Sequence, residues 1–381
     1  MELTKCKLGE LITQRREKND GSDLPICGVS KDGLIPPKQI DADTSIYNVF
    51  YRDDFIFNPA RMELNSIAIN DKYDRAICSS LYEVFYVHRT DLLLPHFLKL
   101  IVKQPWFTRY CEFLGQGSAR EYCRFNNISE IEIEFPSLEE QEKIVNQYSA
   151  IQNRIAIKKQ INDNLLSQAQ TYFSLIFADK DIEKPLPQDW KVAKVGDYCV
   201  DNIANLSKND TYENILYLDT GSITSNYISE LQELNLLTDE IPSRAKRKAT
   251  HGDIIYSTVR PNLRHYGLLQ NPPENLIVST GFAVLHNKGL DISNDFLFMW
   301  LTNDSILEYL QAIAENSVST YPSLNVSDLM NVNIIVPDAD TLKKITQFLS
   351  SVFTAISENN KQIQMLSNSL DILLPKLLSS H

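Results

Sequence analysis

Six histidines and twelve glycines are spread over 381 residues, and their arrangement excludes most familiar catalytic machinery. No Gly-x-Gly-x-x-Gly, no Gly-Lys-Ser/Thr phosphate loop, no His-Glu-x-x-His and no Gly-x-Ser-x-Gly occurs. His88, His96, His251, His265, His286 and His381 show no metal-ligand spacing, so neither a catalytic set nor a metal set is assigned. The six cysteines (Cys6, Cys27, Cys78, Cys111, Cys123, Cys199) include no Cys-x-x-Cys pair. They read as small buried hydrophobes in a reducing cytoplasm rather than as disulfides or a zinc site. No apolar run approaches the length that spans a bilayer, and Met1 to Cys6 lacks the form of a signal peptide. A membrane role is not expected.

Two near-motifs fail on inspection. Asn271-Pro272-Pro273 has the start of an amino-group methyltransferase element, but Glu274 stands where an aromatic would stack on a flipped base. No cofactor-binding glycine loop precedes it, and a proline-bounded turn explains it. Gly115-Gln116-Gly117-Ser118-Ala119-Arg120 can cradle phosphate through backbone amides or be an ordinary loop.

Net positive charge is also lacking: the formal charge is −12, which by itself argues against nucleic acid as partner. Phosphate responds to local potential within a Debye length of about 8–10 Å, however. Between residues 241 and 266 lie Arg244, Lys246, Arg247, Lys248, Arg260 and Arg264 against Asp253 alone, a local charge of +5. A DNA-facing surface and a solvated basic loop both fit that count.

What the chain does contain is itself, twice. An apolar seam runs Ile144, Tyr148, Ile151, Ile155, Lys158, Asn162, Leu165, Ala169, Tyr172 and Ile176. Adding 201 to each number gives Ile345, Leu349, Val352, Ile356, Asn359, Ile363, Leu366, Leu370, Leu373 and Leu377. Steps of four and three alternate in both, the spacing that wraps helices about each other. Two long helices pairing as an antiparallel coiled coil are expected, through Ile144, Ile151, Leu165 and Tyr172 of one and Ile345, Val352, Leu366 and Leu373 of the other. Separate helices docked on their own modules are the alternative. Lys158, Asn162 and Asn359 interrupt the seam, either fixing register or marking a hydrated, splayed stretch.

Upstream the repeat is weaker but keeps its order. Leu8-Gly9-Glu10 answers Val195-Gly196-Asp197, and Asp54 to Phe57 with Arg61 answers Asp253 to Tyr256 with Arg260. Ile77 to Ser80 answers Ile277 to Thr280, and Ile128 to Ile131 answers Val326 to Leu329. Domain boundaries follow: a mixed α/β module over 1–136, a helix over 137–178, a linker over 179–189, a second module over 190–337 and a second helix over 338–381. Strands are predicted at 49–51, 55–57, 82–87, 214–218, 253–257 and 276–286, with a wet-edged one at 131–135. A helical stretch at 92–113 breaks at Gln104-Pro105. Ser137 and Glu140 have capping-box spacing at the first long helix, whose 39 residues from Glu139 span on the order of 60 Å at ~1.5 Å each. Pro375 should kink or fray the end of the second.

The run from Pro136 to Val145 (Pro-Ser-Leu-Glu-Glu-Gln-Glu-Lys-Ile-Val) and the run Leu186-Pro187-Gln188-Asp189-Trp190, with Val195-Gly196-Asp197 after it, carry a resemblance that covers essentially the whole chain. So does the stretch Gly117-Ser118-Ala119-Arg120. The chain resembles the specificity subunits of type I DNA restriction-modification enzymes. The resemblance implies an α+β protein of two tandem α/β target-recognition domains, each followed by a long helix. Two departures stand out: Pro337-Asp338-Ala339-Asp340-Thr341-Leu342 lacks the Glu-Gln pair, and the first module lacks the opening Pro-x-x-Trp.

The resemblance further implies a non-catalytic subunit that reads a bipartite double-stranded DNA target, one half per recognition domain, with the helices as a ruler. Its partners would be two modification (methyltransferase) subunits using S-adenosylmethionine and restriction subunits using ATP and magnesium. DNA-contact candidates are Arg61, Arg120 and Arg124 in the first half and Arg244, Lys246, Arg247, Lys248, Arg260, Asn262 and Arg264 in the second. Arginine and asparagine suit guanine and adenine edges, so Asn262 and Arg264 are expected near bases. Arg61 and Arg260 either meet phosphate or form internal ion pairs with Asp54 and Asp253. The rival function is a two-module scaffold for protein or carbohydrate on a coiled-coil spacer, which leaves the 241–266 stretch without a role.

Overall fold

The computed structural model describes residues 3–37, 40, 43–115, 122–207, 209–317 and 321–379. They form two units, residues 1–157 with 363–381 and residues 158–362. Each contains one module and one half of each long helix.

The first module has two four-stranded sheets. One is ordered Ile12–Arg15, Glu83–Val87, Phe55–Phe57, Ile67–Ile69, and the other Gly33–Ile35, Ile26–Ser30, Arg75–Cys78, Asn48–Tyr51. Phe55, Ile56 and Phe57 are all fully buried, because the strand is covered on both faces. Alternation sends Phe55 and Phe57 into the cluster with Phe85, Phe97 and Leu98, and Ile56 into the one with Phe50 and Val84.

The second module repeats this plan. Cys199–Asp201, Phe282–Asn287, Ile254–Ser257 and Tyr266–Leu268 make one sheet, and Gln232–Asn235, Asn214–Leu218, Leu276–Ser279 and Ala245–Lys248 the other. Ile254 and Tyr256 face one core and Ile255 another. Both modules hold one parallel pairing, Ile26 opposite Ile77 and Tyr217 opposite Ile277. The expected strand 276–286 is in fact two strands in different sheets. The chain crosses between them at Thr280-Gly281, where a β-carbon on Gly281 would stand 2.9 Å from Thr220 Cγ2.

In each module a short antiparallel pair joins the start to the segment before the long helix: Thr4–Lys7 with Glu132–Phe135, and Lys191–Lys194 with Asn333–Val336. The wet edge is there, with Glu132 and Glu134 exposed and each 3.4 Å from Lys5 Nζ, while Ile133 and Phe135 are buried. Gly9 packs on Ser129 and Gly196 on Met330, and their acidic neighbours accept from the backbone, Glu10 from Lys7 and Asp197 from Lys194.

These contacts correct one sequence match. The short helix Phe125–Ser129 corresponds to Val326–Met330 at an offset of 201, so Ile128 answers Leu329, both fully buried. Matching Ile128 with Val326 slipped by one helical turn, which keeps apolar residues on the same face.

The long helices are Leu138–Phe177 and Ala339–Ser379; the second runs through Pro375 rather than ending there. In the unit 158–362, the Tyr172 ring meets Phe348 tilted at 56° with centroids 4.5 Å apart, and Lys158 Nζ donates to Asn359 Oδ1 at 3.2 Å. One number falls as the other rises, so the helices run antiparallel. Asn359 Nδ2 donates to Asn162 Oδ1 at 2.9 Å and Asn162 Nδ2 to Asn360 Oδ1 at 2.8 Å. The polar interruption is thus a bonded ladder, not a splayed seam.

Leu165 and Tyr172 are half-buried against the core that contains Ile345 and Val352. That same core includes Phe173, which meets Phe296 and Trp300 edge-on at 5.3 and 5.9 Å, so the helices both pair and dock on their module. In the other unit Ile155, Ile363 and Leu370 form a cluster lined by Ile151 and Leu366, and Ile144 joins the module core. Leu373, expected in the seam, is instead 40% exposed.

The two departures from the family pattern, one at a helix start and one at a module start, are halves of one exchange. Gln141 is fully buried, donating to Leu92 O at 2.8 Å and Pro136 O at 2.9 Å and accepting from Leu94 N at 2.9 Å. At the same position the second helix has buried Leu342, and the anchoring passes to Asp338. Asp338 accepts from Trp190 Nε1 at 3.0 Å and from the amides of Asp340 and Thr341, both at 3.0 Å. The module with the tryptophan does without the glutamine, and the module with the glutamine does without the tryptophan.

Candidate nucleic-acid interface

Asp54 and Asp253 open equivalent strands, each after a residue of positive φ (Asp53 at 66°, Gly252 at 85°). Each accepts from the amide three residues back, Tyr51 at 2.8 Å and Thr250 at 2.7 Å. Their side-chain partners differ. Asp54 takes Arg15 Nε at 2.6 Å, with the guanidinium 4.7 and 4.6 Å from the Tyr51 and Tyr86 rings. Burial pushes the Asp54 carboxyl up and Arg15 draws it back. Asp253 Oδ1 lies 2.7 Å from His286 Nδ1. The aspartates are therefore occupied, and the expected alternative of ion pairs from Arg61 to Asp54 and Arg260 to Asp253 is not formed.

Both arginines sit instead on the loop that leaves the strand. In the first module this is the 3-10 turn Pro59–Leu64, with Arg61 exposed; in the second it is Pro261–Leu263, preceded by exposed Arg260. The loops share backbone bonds, Asn65 N donating to Met62 O and Arg264 N to Pro261 O, both at 2.9 Å, but differ at the arginines themselves, where Arg61 N donates to Asn58 O and Arg260 N to Pro322 O. Cys123 N reaches Pro59 O at 3.0 Å, and Leu324 N reaches Thr258 O at 2.7 Å.

The remaining candidates divide by what already holds them. Arg247 donates into the Phe282 carbonyl, and Lys248 pairs with Asp210. Arg264 Nη2 is 2.7 Å from Asp304 Oδ1, and Arg124 Nη1 is 3.5 Å from Glu83 Oε1. None of the described carboxylates pairs with Arg61, Arg244, Lys246 or Arg260, all of them exposed. Asn262 is exposed, and its backbone N–H donates to Gln311 Oε1 at 3.1 Å. Arg120 and the loop around it lie outside the described residues.

Sequence reasoning missed the aromatics beside these cations. Tyr321 underlies Arg260 at 4.6 Å and Tyr212 underlies Lys248 at 5.7 Å. Neither is near its partner in the chain, so spacing carried no signal. Among the described residues no group of three or more His, Cys, Asp or Glu could hold a metal ion, and no helix is long and apolar enough to cross a membrane.

Two copies of one mixed α/β module, each presenting an arginine on an equivalent loop and each closed by a long helix, define a tandem recognition protein. Residues 5–167 and 187–367 each match the type I restriction modification DNA specificity domain, and the chain belongs to that family. It is 29% identical over 178 residues to the type I restriction enzyme HindI specificity subunit of Haemophilus influenzae, covering 47% of this chain and 38% of that one. It is 26% identical over 313 residues to the MjaIX specificity subunit of Methanocaldococcus jannaschii, covering 76% and 69%. The crystal structure of the type I system S subunit from M. genitalium shares the fold, with a TM-score of 0.57 at 16% identity over 99% and 96% of the two chains.

Proposed function

We propose that this chain is the DNA-specificity subunit of a type I restriction-modification enzyme and that it breaks and makes no bonds itself. Each module takes one half of a bipartite double-stranded target. Two modification subunits supply S-adenosylmethionine and methylate an adenine in each half; restriction subunits, working with ATP and magnesium, act on unmodified DNA. The observation that carries the reading is the repeat at its most functional point, Arg61 and Arg260 exposed at equivalent positions on loops closed by equivalent backbone bonds, Asn65 N to Met62 O and Arg264 N to Pro261 O. A duplicated module suits a ligand with two similar ends.

The long helices set the gap between the halves. Half-sites on one face of B-DNA lie about 34–36 Å apart per turn, within the span of a helix the length of Leu138–Phe177. The test is methylome sequencing of a host that expresses the chain with a modification subunit. A bipartite motif, methylated in both halves and absent without the chain, is the expected result; no motif from an assembled complex defeats the proposal. Deleting one heptad from each long helix should alter the spacer and leave both half-sequences unchanged.

A further inference from the structure

We propose that Arg260, laid against Tyr321, reads a guanine in the half-site taken by the second module; the inference rests on the DNA-specificity reading above. Arg260 is held in a backbone conformation that costs a non-glycine residue energy, at φ 50° and ψ 68°. Arg264, four residues on, is also left-handed at φ 57°. At the position of Arg264 the first module uses Asn65, a residue that tolerates this region. Retaining arginine at both places in the second loop points to what the side chains do.

The surroundings fix the loop in that shape. Arg260 N donates to Pro322 O at 2.9 Å, and Val259 bridges to Ser323. Asn262 N is met by Gln311, Arg264 is clamped by Asp304, and the Arg264 carbonyl accepts from Ser225 N at 2.8 Å. Arg264 is thus spent on bracing. Arg260 pairs with none of the described carboxylates, and its guanidinium rests over a tyrosine that is itself 55% exposed.

An arginine whose plane is set by an aromatic ring keeps its donor fork oriented while losing little side-chain freedom on binding. That fork matches the O6 and N7 acceptors of guanine in the major groove. Phosphate accepts the same fork but does not require it, since a lysine point charge also binds phosphate. Arg244 and Lys246, exposed and lacking such bracing, suit that lesser requirement.

The experiment uses the full chain assembled with its modification subunit, first to obtain the wild-type motif and then to measure binding to duplexes with each base pair of the motif substituted. Variants are Arg260→Ala, Arg260→Lys and Tyr321→Leu, with thermal melts to confirm folding. Arg260→Ala is expected to lose discrimination at one G·C pair in one half-site, roughly 10- to 100-fold, and Arg260→Lys and Tyr321→Leu to lose part of it at the same pair. The other half-site and the spacer stay unchanged. Wild-type discrimination in Arg260→Ala, or a loss spread evenly over all duplexes, makes Arg260 a phosphate contact and overturns the inference alone. A wild-type complex that yields no motif removes the specificity reading itself and the inference with it.

Discussion

Lys158 Nζ donates to Asn359 Oδ1 at 3.2 Å, joining two residues that hold the same place in the two copies of the repeat. With Asn162 and Asn360 they form a ladder in an otherwise apolar seam. Such ladders limit stability and define register, because sliding either helix strands each polar group. Asn359→Leu alone should destabilise the chain by about 1–3 kcal/mol, since Lys158 and Asn162 lose a partner. Replacing Lys158, Asn162 and Asn359 together by leucine should recover that loss and raise the urea midpoint to the wild-type value or above. A triple variant less stable than Asn359→Leu would refute this account.

Gln141 makes a second sharp case. Its fully buried amide ties the start of the first long helix to the module, bonding the buried Pro136 carbonyl and the half-buried Leu92 carbonyl and Leu94 N–H. Gln141→Leu reproduces the residue the second helix uses, yet it should cost about 2–4 kcal/mol, because the groups left behind have no substitute partner. Asp338→Ala, which removes the acceptor for Trp190 Nε1 and for two amides, should destabilise the other module. Denaturation followed by tryptophan fluorescence checks both, Trp190 reporting for Asp338→Ala. A Gln141→Leu chain as stable as wild type would show that the exchange of anchors has no energetic content.

The repeat was legible because helix periodicity and offset are properties of sequence alone. The ten-position seam at an offset of 201 identified both long helices, and the strand compositions around Phe55 and Ile254 identified the buried strands. The match of Ile128 with Val326 failed because a one-turn slip preserves apolar pattern; only the contacts of Gly9 and Gly196 distinguish the registers. The split at Thr280-Gly281 was hidden for a similar reason, since a strand buried on both faces reads as one apolar run. The basic residues could be counted but not sorted. Whether Lys248 is available or Arg260 is oriented depends on Asp210 and Tyr321, partners brought near only by the fold.

Asp295, in the first turn of the helix Asn294–Leu301, gives a pH prediction. Burial pushes its carboxyl from 3.8 up to about 6, with His251 drawing it weakly back. Between those values the folded chain keeps a proton that the unfolded chain has released, so this group's contribution is most favourable below pH 3.8 and is lost as pH rises through 6. Asp295→Asn should therefore gain stability over wild type at pH 7, on the order of 1–2 kcal/mol, and show no gain at low pH. Urea titrations of both chains across this range test it; a gain that does not depend on pH would mean that burial of the charge is not the cause.

Salt dependence separates the basic residues that are available from those that are committed. Arg244 and Lys246 are exposed and unpaired with any described carboxylate, whereas Arg247 is tied to the Phe282 carbonyl and Lys248 to Asp210. Each phosphate contact removed lowers the slope of log affinity against log salt by about 0.9. Arg244→Ala and Lys246→Ala should each reduce the slope by about that amount, weakening binding evenly across sequences without a change in melting temperature. Arg247→Ala and Lys248→Ala should do the reverse, lowering the melting temperature and leaving the slope of the folded fraction unchanged. Fluorescence anisotropy titrations of a labelled duplex at several salt concentrations distinguish the two patterns. Slopes unaffected by Arg244→Ala and Lys246→Ala would move the phosphate contacts of this module to a different face.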